Sequence, residues 1–250
     1  MTAYVPGKLV LKQQLVNDFT PAELSPTMWF DGADETTVTL NGGLVSEWRD
    51  KSGNSFNATQ ADPGLQPTYT VAGLNGKNIL LATAPRRLLI NNQTYSNGTI
   101  FIVCNDTKET GFGVAFVLTD GSKTFSLLSN LANNDWGSYL DGPRTANGNI
   151  GPDFAIASIE SDPTDLSFYL NAVPDGVLSS IATRSVFSTS SIFNDEYNSY
   201  HQGNIAEIVF YDKLLSVDER QKMEGYLAHK WGLTGNLPVG HPYKTEVPKA

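Results

Sequence analysis

The chain has 250 residues, with 26 acidic side chains against 17 basic ones and a formal net charge of −9. That excess argues against a nucleic-acid partner and against anionic membrane surfaces. Hydrophobic residues make up 40% of the chain and aromatic residues 10%, enough for a full core, yet no apolar run approaches the length of a membrane span.

The N-terminus has no basic segment followed by an apolar one, which predicts a chain made in the cytoplasm without a secretion signal. Cys104 is the single cysteine, so no internal disulfide forms. Its place in the apolar run from Ile100 predicts a buried, inert thiol. Residues 1–25 read as an arm. Val5, Pro6 and Gly7 form a turn or extended piece, residues 9–16 read as a strand or a short helix with neither period winning, and Pro21 and Pro26 bracket a linker or one helical turn. The arm either packs on its own domain or docks on a partner subunit.

A single domain is expected over 26–250. Its first residues include the apolar Met28, Trp29 and Phe30, followed closely by Asp31 and Asp34. Val38 to Gly43 is a hairpin region, with Gly42 and Gly43 supplying positive φ. Val45 to Trp48 is the next strand, followed by a loop through Asp50, Ser52, Gly53 and Asn54. Gly76 to Leu81 and Arg87 to Ile90 read as two strands around a turn. Thr99 to Val103 is a buried run, and Val114 to Leu118 pairs with Thr124 to Leu128. Trp136 to Leu140 precedes a turn at Asp141. Phe154 to Ile159 and Leu166 to Leu170 flank a hairpin turn. Ile205, Ile208 and Phe210 mark a last strand, after which Ser216 and Glu219 stand at capping-box spacing. Met223, Tyr226, Leu227 and Trp231 then form the apolar stripe of a helix over about 216–231, ended by Gly232. Short strands every eight to twelve residues and one helix predict an all-β sandwich.

Several of these strings carry a resemblance. Gly203, Ile205, Glu207 and Tyr211, then Leu215, Ser216, Glu219 and Arg220, follow the closing strand-and-helix pattern of laminin-G-like domains in the concanavalin A-like superfamily. Trp48, Asp50, Ser52, Gly53, Asn54 and Ala58 resemble another pattern of the same family. The stretch from Gly225 through Trp231 to Gly240, His241 and Tyr243 is similar to the version common in phage and environmental bacterial proteins. The resemblance covers about 27–243. It implies a two-sheet antiparallel jelly-roll sandwich with a C-terminal amphipathic helix, and leaves function open, because the superfamily holds lectins, glycosidases, adhesion modules and virion proteins.

Glycoside hydrolysis requires two carboxylates facing one cleft. The nearest approach is Glu160, Asp162 and Asp165, where Pro163 interrupts any strand and a hairpin turn explains the composition better. No nucleophile elbow, P-loop or dinucleotide fingerprint is present. His201, His229 and His241 lie on different elements, which excludes a zinc site, and His229 is expected to be an exposed helix residue. Calcium is the one candidate cofactor, since many laminin-G-like domains carry a rim calcium. Its candidate ligands are Asp31, Asp34, Asp50 and Asn54, which otherwise serve as turn formers. Two polar-aromatic segments are candidate sugar sites: Trp136, Tyr139, Asp141 and Arg144, and Asn194, Tyr197, Tyr200 and His201. The competing reading puts their rings in the core or its rim. Trp29, Trp48 and Trp231 read as structural.

The leading functional expectation is a non-catalytic virion surface protein of a bacteriophage: a head decoration, head fibre or tail component. Its arm would hold other virion subunits, and a homotrimer is the favoured assembly. The alternative is a lectin-like module that attaches to cell-surface glycans. A polysaccharide-degrading enzyme stands third.

Overall fold

The computed structural model describes residues 17–83, 85–91, 97–108, 113–119, 124–129, 136–139, 143–146, 148–179, 190–194 and 199–250. Its strands are β1 (Met28–Asp31), β2 (Val38–Asn41), β3 (Leu44–Trp48), β4 (Ala58–Thr59), β5 (Thr68–Leu74), β6 (Lys77–Ala82), β7 (Leu88–Ile90), β8 (Gly98–Asp106) and β9 (Gly113–Thr119). They continue as β10 (Thr124–Ser129), β11 (Gly137–Tyr139), β12 (Pro143–Thr145), β13 (Ala155–Ser161), β14 (Leu166–Leu170), β15 (Val173–Leu178), β16 (Ser190–Ile192) and β17 (Gly203–Tyr211). The helix α1 (Val217–Trp231) follows.

Ladder pairing between these strands is antiparallel throughout, and the sequence folds as an all-β sandwich with one C-terminal helix. One sheet runs β1-β17-β8-β13-β14-β15. The other runs β2-β3-β4-β7-β16-β9-β10-β11-β12. The hairpin β5–β6 bridges them along one side, because β5 pairs with β3 and β6 with β17.

The first sheet is covered on both faces, which explains the uninterrupted apolar run in β8. Ile100, Ile102 and Cys104 join the core between the sheets, while Phe101 and Val103 join a second core under the helix. There they meet Met223, Leu227 and Trp231 from the expected stripe of α1, with Ala228 beside them and Tyr226 partly buried against the cluster. The capping box forms as its spacing requires: the Glu219 amide donates to Ser216 Oγ at 3.3 Å, and the Ser216 amide donates to Glu219 Oε2 at 2.8 Å. Gly232 closes the helix at φ 69°. Burial raises the pKa of the Cys104 thiol, so it stays protonated.

Register in β17 slips between Ile205 and Glu207. The bulge turns both Ala206 and Glu207 toward the helix, and alternation resumes with Ile208 in the sandwich core. A buried carboxylate is thereby aimed at α1.

Two expectations need revision. β6 and β7 do not pair with each other; β6 joins β5 and β17, and β7 joins β4 and β16. His229 is half-buried, its Nε2 2.9 Å from the Tyr243 carbonyl oxygen. Of the expected arm, residues 1–16 lie outside the described residues. Residues 17–25 pack on the helix side, where Phe19 is buried edge-on to Tyr226 and its amide donates to the Pro248 carbonyl at 2.9 Å.

Candidate functional site

The site grows from the loop after β3. Trp48 is buried in the sandwich core, and the chain then folds back along the open edge of β1. Asp50 Oδ1 accepts the Trp29 amide at 2.9 Å and the Ser52 amide at 2.8 Å. Asp50 Oδ2 accepts the Ser52 hydroxyl at 2.6 Å and the Phe56 amide at 3.2 Å. The Lys51 amide donates to the Trp29 carbonyl at 2.8 Å, and Asn54 Nδ2 to the Thr27 carbonyl at 3.0 Å. Gly53 holds φ 91°, which a side chain would strain. The Trp-Asp-Ser-Gly-Asn string is therefore an edge seal, satisfying backbone groups that an exposed edge strand leaves open.

The same loop delivers Lys51 to a chain of buried charges. Lys51 Nζ lies 2.8 Å from Asp31 Oδ2 and 2.7 Å from Asp34 Oδ2. Lys230 Nζ lies 2.7 Å from Asp31 Oδ1 and 2.8 Å from Glu207 Oε2. Glu207, with 0% exposure, also accepts the indole N–H groups of Trp29 at 2.7 Å and Trp231 at 2.6 Å, and the Tyr226 hydroxyl at 3.1 Å. Burial raises the Glu207 pKa, and Lys230 opposes that effect. Burial also disfavours the Lys51 ammonium, but its bonds to Asp31 and Asp34 outweigh this and leave its pKa above the ordinary lysine value. The bond from Lys51, with help from Thr36, holds Asp34 below the usual carboxylate range. This network ties β1, β17, the loop and α1 together.

Beside it opens a pocket of about 360 Å³, between the loop, the single 3₁₀ turn Pro21–Leu24 and the left-handed residue Ser25 (φ 54°). Its wall carries Ser25, Pro26, Trp29, Lys51, Ser52 and Asn54. The volume falls at the low end of ligand pockets, which span roughly 300–1,000 Å³. Lys51 Nζ stands 4.5 Å from the Trp29 ring centroid. Two of the three ammonium N–H groups are matched to Asp31 and Asp34, which leaves one donor for a guest.

The expected calcium ligands fall inside this region, in a different role. Asp31 and Asp34 share Lys51, Asp50 spends its oxygens on the edge seal, and Asn54 donates to backbone. Among the described residues, no group of three or more His, Cys, Asp or Glu side chains is disposed to hold a metal ion.

The two expected sugar segments lie elsewhere. Trp136 has 0% exposure; its ring packs edge-on to Phe168 in the sandwich core, and its indole N–H donates to Asp175 Oδ2 at 2.6 Å. It presents no open face. Tyr139 and Arg144 take backbone positions in β11 and β12, opposite Pro143 and Ser138 respectively. Asp141 and Tyr197 lie outside the described residues. Asn194 and His201 are fully buried, with His201 Nδ1 4.0 Å from Asp106 Oδ2, and Tyr200 is half-buried. Glu160 pairs with Arg220 Nε at 3.2 Å and accepts the Tyr169 hydroxyl at 3.1 Å. Asp162 Oδ1 accepts the amides of Thr164 and Asp165, both at 2.7 Å, so that segment is the expected hairpin turn.

Sequence reasoning missed Lys51, Lys230 and the pocket face of Trp29. One signal was present. Ile205 and Ile208 are three apart, not two, which marks the bulge that turns Glu207 to the helix.

No protein-family profile and no curated protein sequence matches the chain. Solved structures do resemble it. The botulinum neurotoxin serotype D binding domain aligns over 82% of this chain and 52% of its own length, at 11% identity and a TM-score of 0.53. The Trypanosoma rangeli sialidase in complex with sialic acid aligns over 87% of this chain and 36% of its own, at 14% identity and a TM-score of 0.53. This chain thus spans about half of the first of these proteins and about a third of the second, and what it shares with them is the β-sandwich fold.

Proposed function

We propose that the chain is a non-catalytic, lectin-like module that binds glycans through the Trp29–Lys51 pocket. The observation that carries this reading is the pocket itself: the part of Trp29 that reaches the wall (the residue is 8% exposed), the Lys51 ammonium over its ring, the Ser25 hydroxyl and the Asn54 side chain line one volume of about 360 Å³. Sugar sites combine an aromatic surface with a few fixed polar groups in this manner. The fold in common with a toxin binding domain and with a sialidase solved with sialic acid supports the class. The ion pair of Glu160 with Arg220 favours binding over hydrolysis, because it commits that carboxylate to a structural contact. The reading needs no calcium, since Lys51 and Lys230 already supply the charge that Asp31 faces. Nothing in the fold comparisons favours the virion role, so the lectin-like alternative replaces it as the leading reading.

The test is a glycan array probed with the full chain, with calcium and with a chelator, beside the variant Ala22→Trp. Ala22 is exposed at the pocket mouth, so the new ring fills the space without entering the core. The reading expects binding that survives the chelator and is lost in Ala22→Trp. Absence of binding to any glycan, or binding untouched by the plug, overturns it.

A further inference from the structure

We infer that the pocket selects neutral sugars and excludes acidic ones; this rests on the glycan-binding reading above. The argument is one of fixed charge. Behind the pocket wall four carboxylates, Asp31, Asp34, Asp50 and Glu207, are tied to its residues or to the network that Lys51 joins, against two ammonium groups, Lys51 and Lys230. Arg49 adds no free positive charge, since Glu47 stands 3.6 Å from it. Among the described residues Lys51 is the one cation on the wall, and it is shared between two carboxylates at 2.8 and 2.7 Å.

A guest carboxylate would have to compete with Asp31 and Asp34 for that ammonium while meeting their charge. A guest hydroxyl or ring oxygen needs only the spare N–H of Lys51, with the Ser25 hydroxyl and the Asn54 side-chain oxygen on the same wall for its other hydroxyls, the Asn54 Nδ2 being bonded to the Thr27 carbonyl. Arginine is over-represented where a carboxylate is recognised; the described wall holds no guanidinium, and its ammonium is already shared between two carboxylates. The chain's net charge of −9 works in the same direction at longer range. The pocket therefore points away from sialic acid, although one structure of similar fold was solved with it.

The experiment pairs neutral glycans with their acidic counterparts on the full chain: methyl glucoside with methyl glucuronide, methyl galactoside with methyl galacturonide, and sialylated with desialylated lactose. Glycan arrays and titrations at low and high salt are run on the parent chain, on Ala22→Trp, and on Asp34→Asn. The asparagine keeps an oxygen to cap the Thr36 amide while removing one negative charge beside Lys51. The expected result is binding of neutral members, lost in Ala22→Trp, with acidic members at least about tenfold weaker at low salt. The gap narrows as salt screens it, and Asp34→Asn strengthens the acidic members several-fold. Acidic members bound as tightly as neutral ones, and displaced by the plug, overturn the selectivity while the glycan reading stands. Binding of no member, or binding indifferent to the plug, overturns both.

Discussion

Removing the Lys230 ammonium tests whether the buried network holds the helix to the sheet. Lys230→Met keeps the length of the side chain and leaves Glu207, with 0% exposure, facing Asp31 without the cation between them. Deleting one partner of a buried pair costs about 3–5 kcal/mol, because the remaining charge stays buried. Asp31 retains Lys51 at 2.8 Å, so the lower end, about 3 kcal/mol, is expected. With a urea slope of about 3 kcal/mol/M that is a midpoint shift of about 1 M. Tryptophan fluorescence reports the transition, since Trp29 and Trp231 both donate to Glu207. The loss also depends on pH in a definite sense. A carboxyl whose folded pKa is raised takes up a proton on folding, so acidification stabilises the folded state relative to the unfolded one. Burial already raises Glu207, and removing Lys230 removes the group opposing that rise. The penalty of Lys230→Met is therefore larger at pH 8 than at pH 5. A loss below about 1 kcal/mol, the scale of an exposed ion pair, refutes the reasoning.

Other consequences are checked in the same material. Asp50→Ala removes four accepted hydrogen bonds from the edge seal and should cost about 2 kcal/mol or more, with faster amide exchange at Trp29, Ser52 and Phe56. Unchanged exchange at these amides would show that the loop is held otherwise. Gly225→Ala would place a methyl 2.5 Å from Tyr243 Cβ, so the C-terminal strap must shift; a loss of about 1–3 kcal/mol and faster proteolysis after His241 are expected. Burial holds the His201 pKa below its ordinary value of 6.5, against the pull of Asp106 and a bond to the Asn105 backbone, with Lys108 adding to the depression. The unfolded chain then binds the proton first, so stability falls as pH drops below about 6.5. His201→Gln should flatten that part of the stability profile, and an unchanged slope contradicts the assignment.

Local patterns carried much of the fold. The capping box, the β9–β10 pairing, the hairpin around Asp162 and the double-glycine turn before β3 are written in neighbouring residues, and their chemistry is local. The charge network is not. Trp29 and Glu207 are 178 residues apart, and no spacing rule joins them. Asp-rich turns look alike whether their cation is calcium or a lysine side chain, and spacing alone does not show that Asp31 and Asp34 share Lys51. Trp136 looked like a sugar platform because a strand residue next to a turn can face either way. Its partner Asp175, 39 residues on, decided the direction. The family-like strings turned out to be structural: Glu207, Trp231, Asp50 and Asn54 hold the scaffold, and the pocket is a by-product of how they close the edge of β1.

The most direct measurement of the central claim uses the four tryptophans of the chain as reporters. Their indole N–H signals are followed by nitrogen–proton correlation NMR while a neutral glycan selected from the array is titrated in. Occupancy of the pocket predicts that the Trp29 signal moves and saturates, that Trp231 moves less through their common acceptor Glu207, and that the core residues Trp48 and Trp136 stay still. Saturable binding that leaves Trp29 unmoved would contradict the account and place the glycan elsewhere on the sandwich.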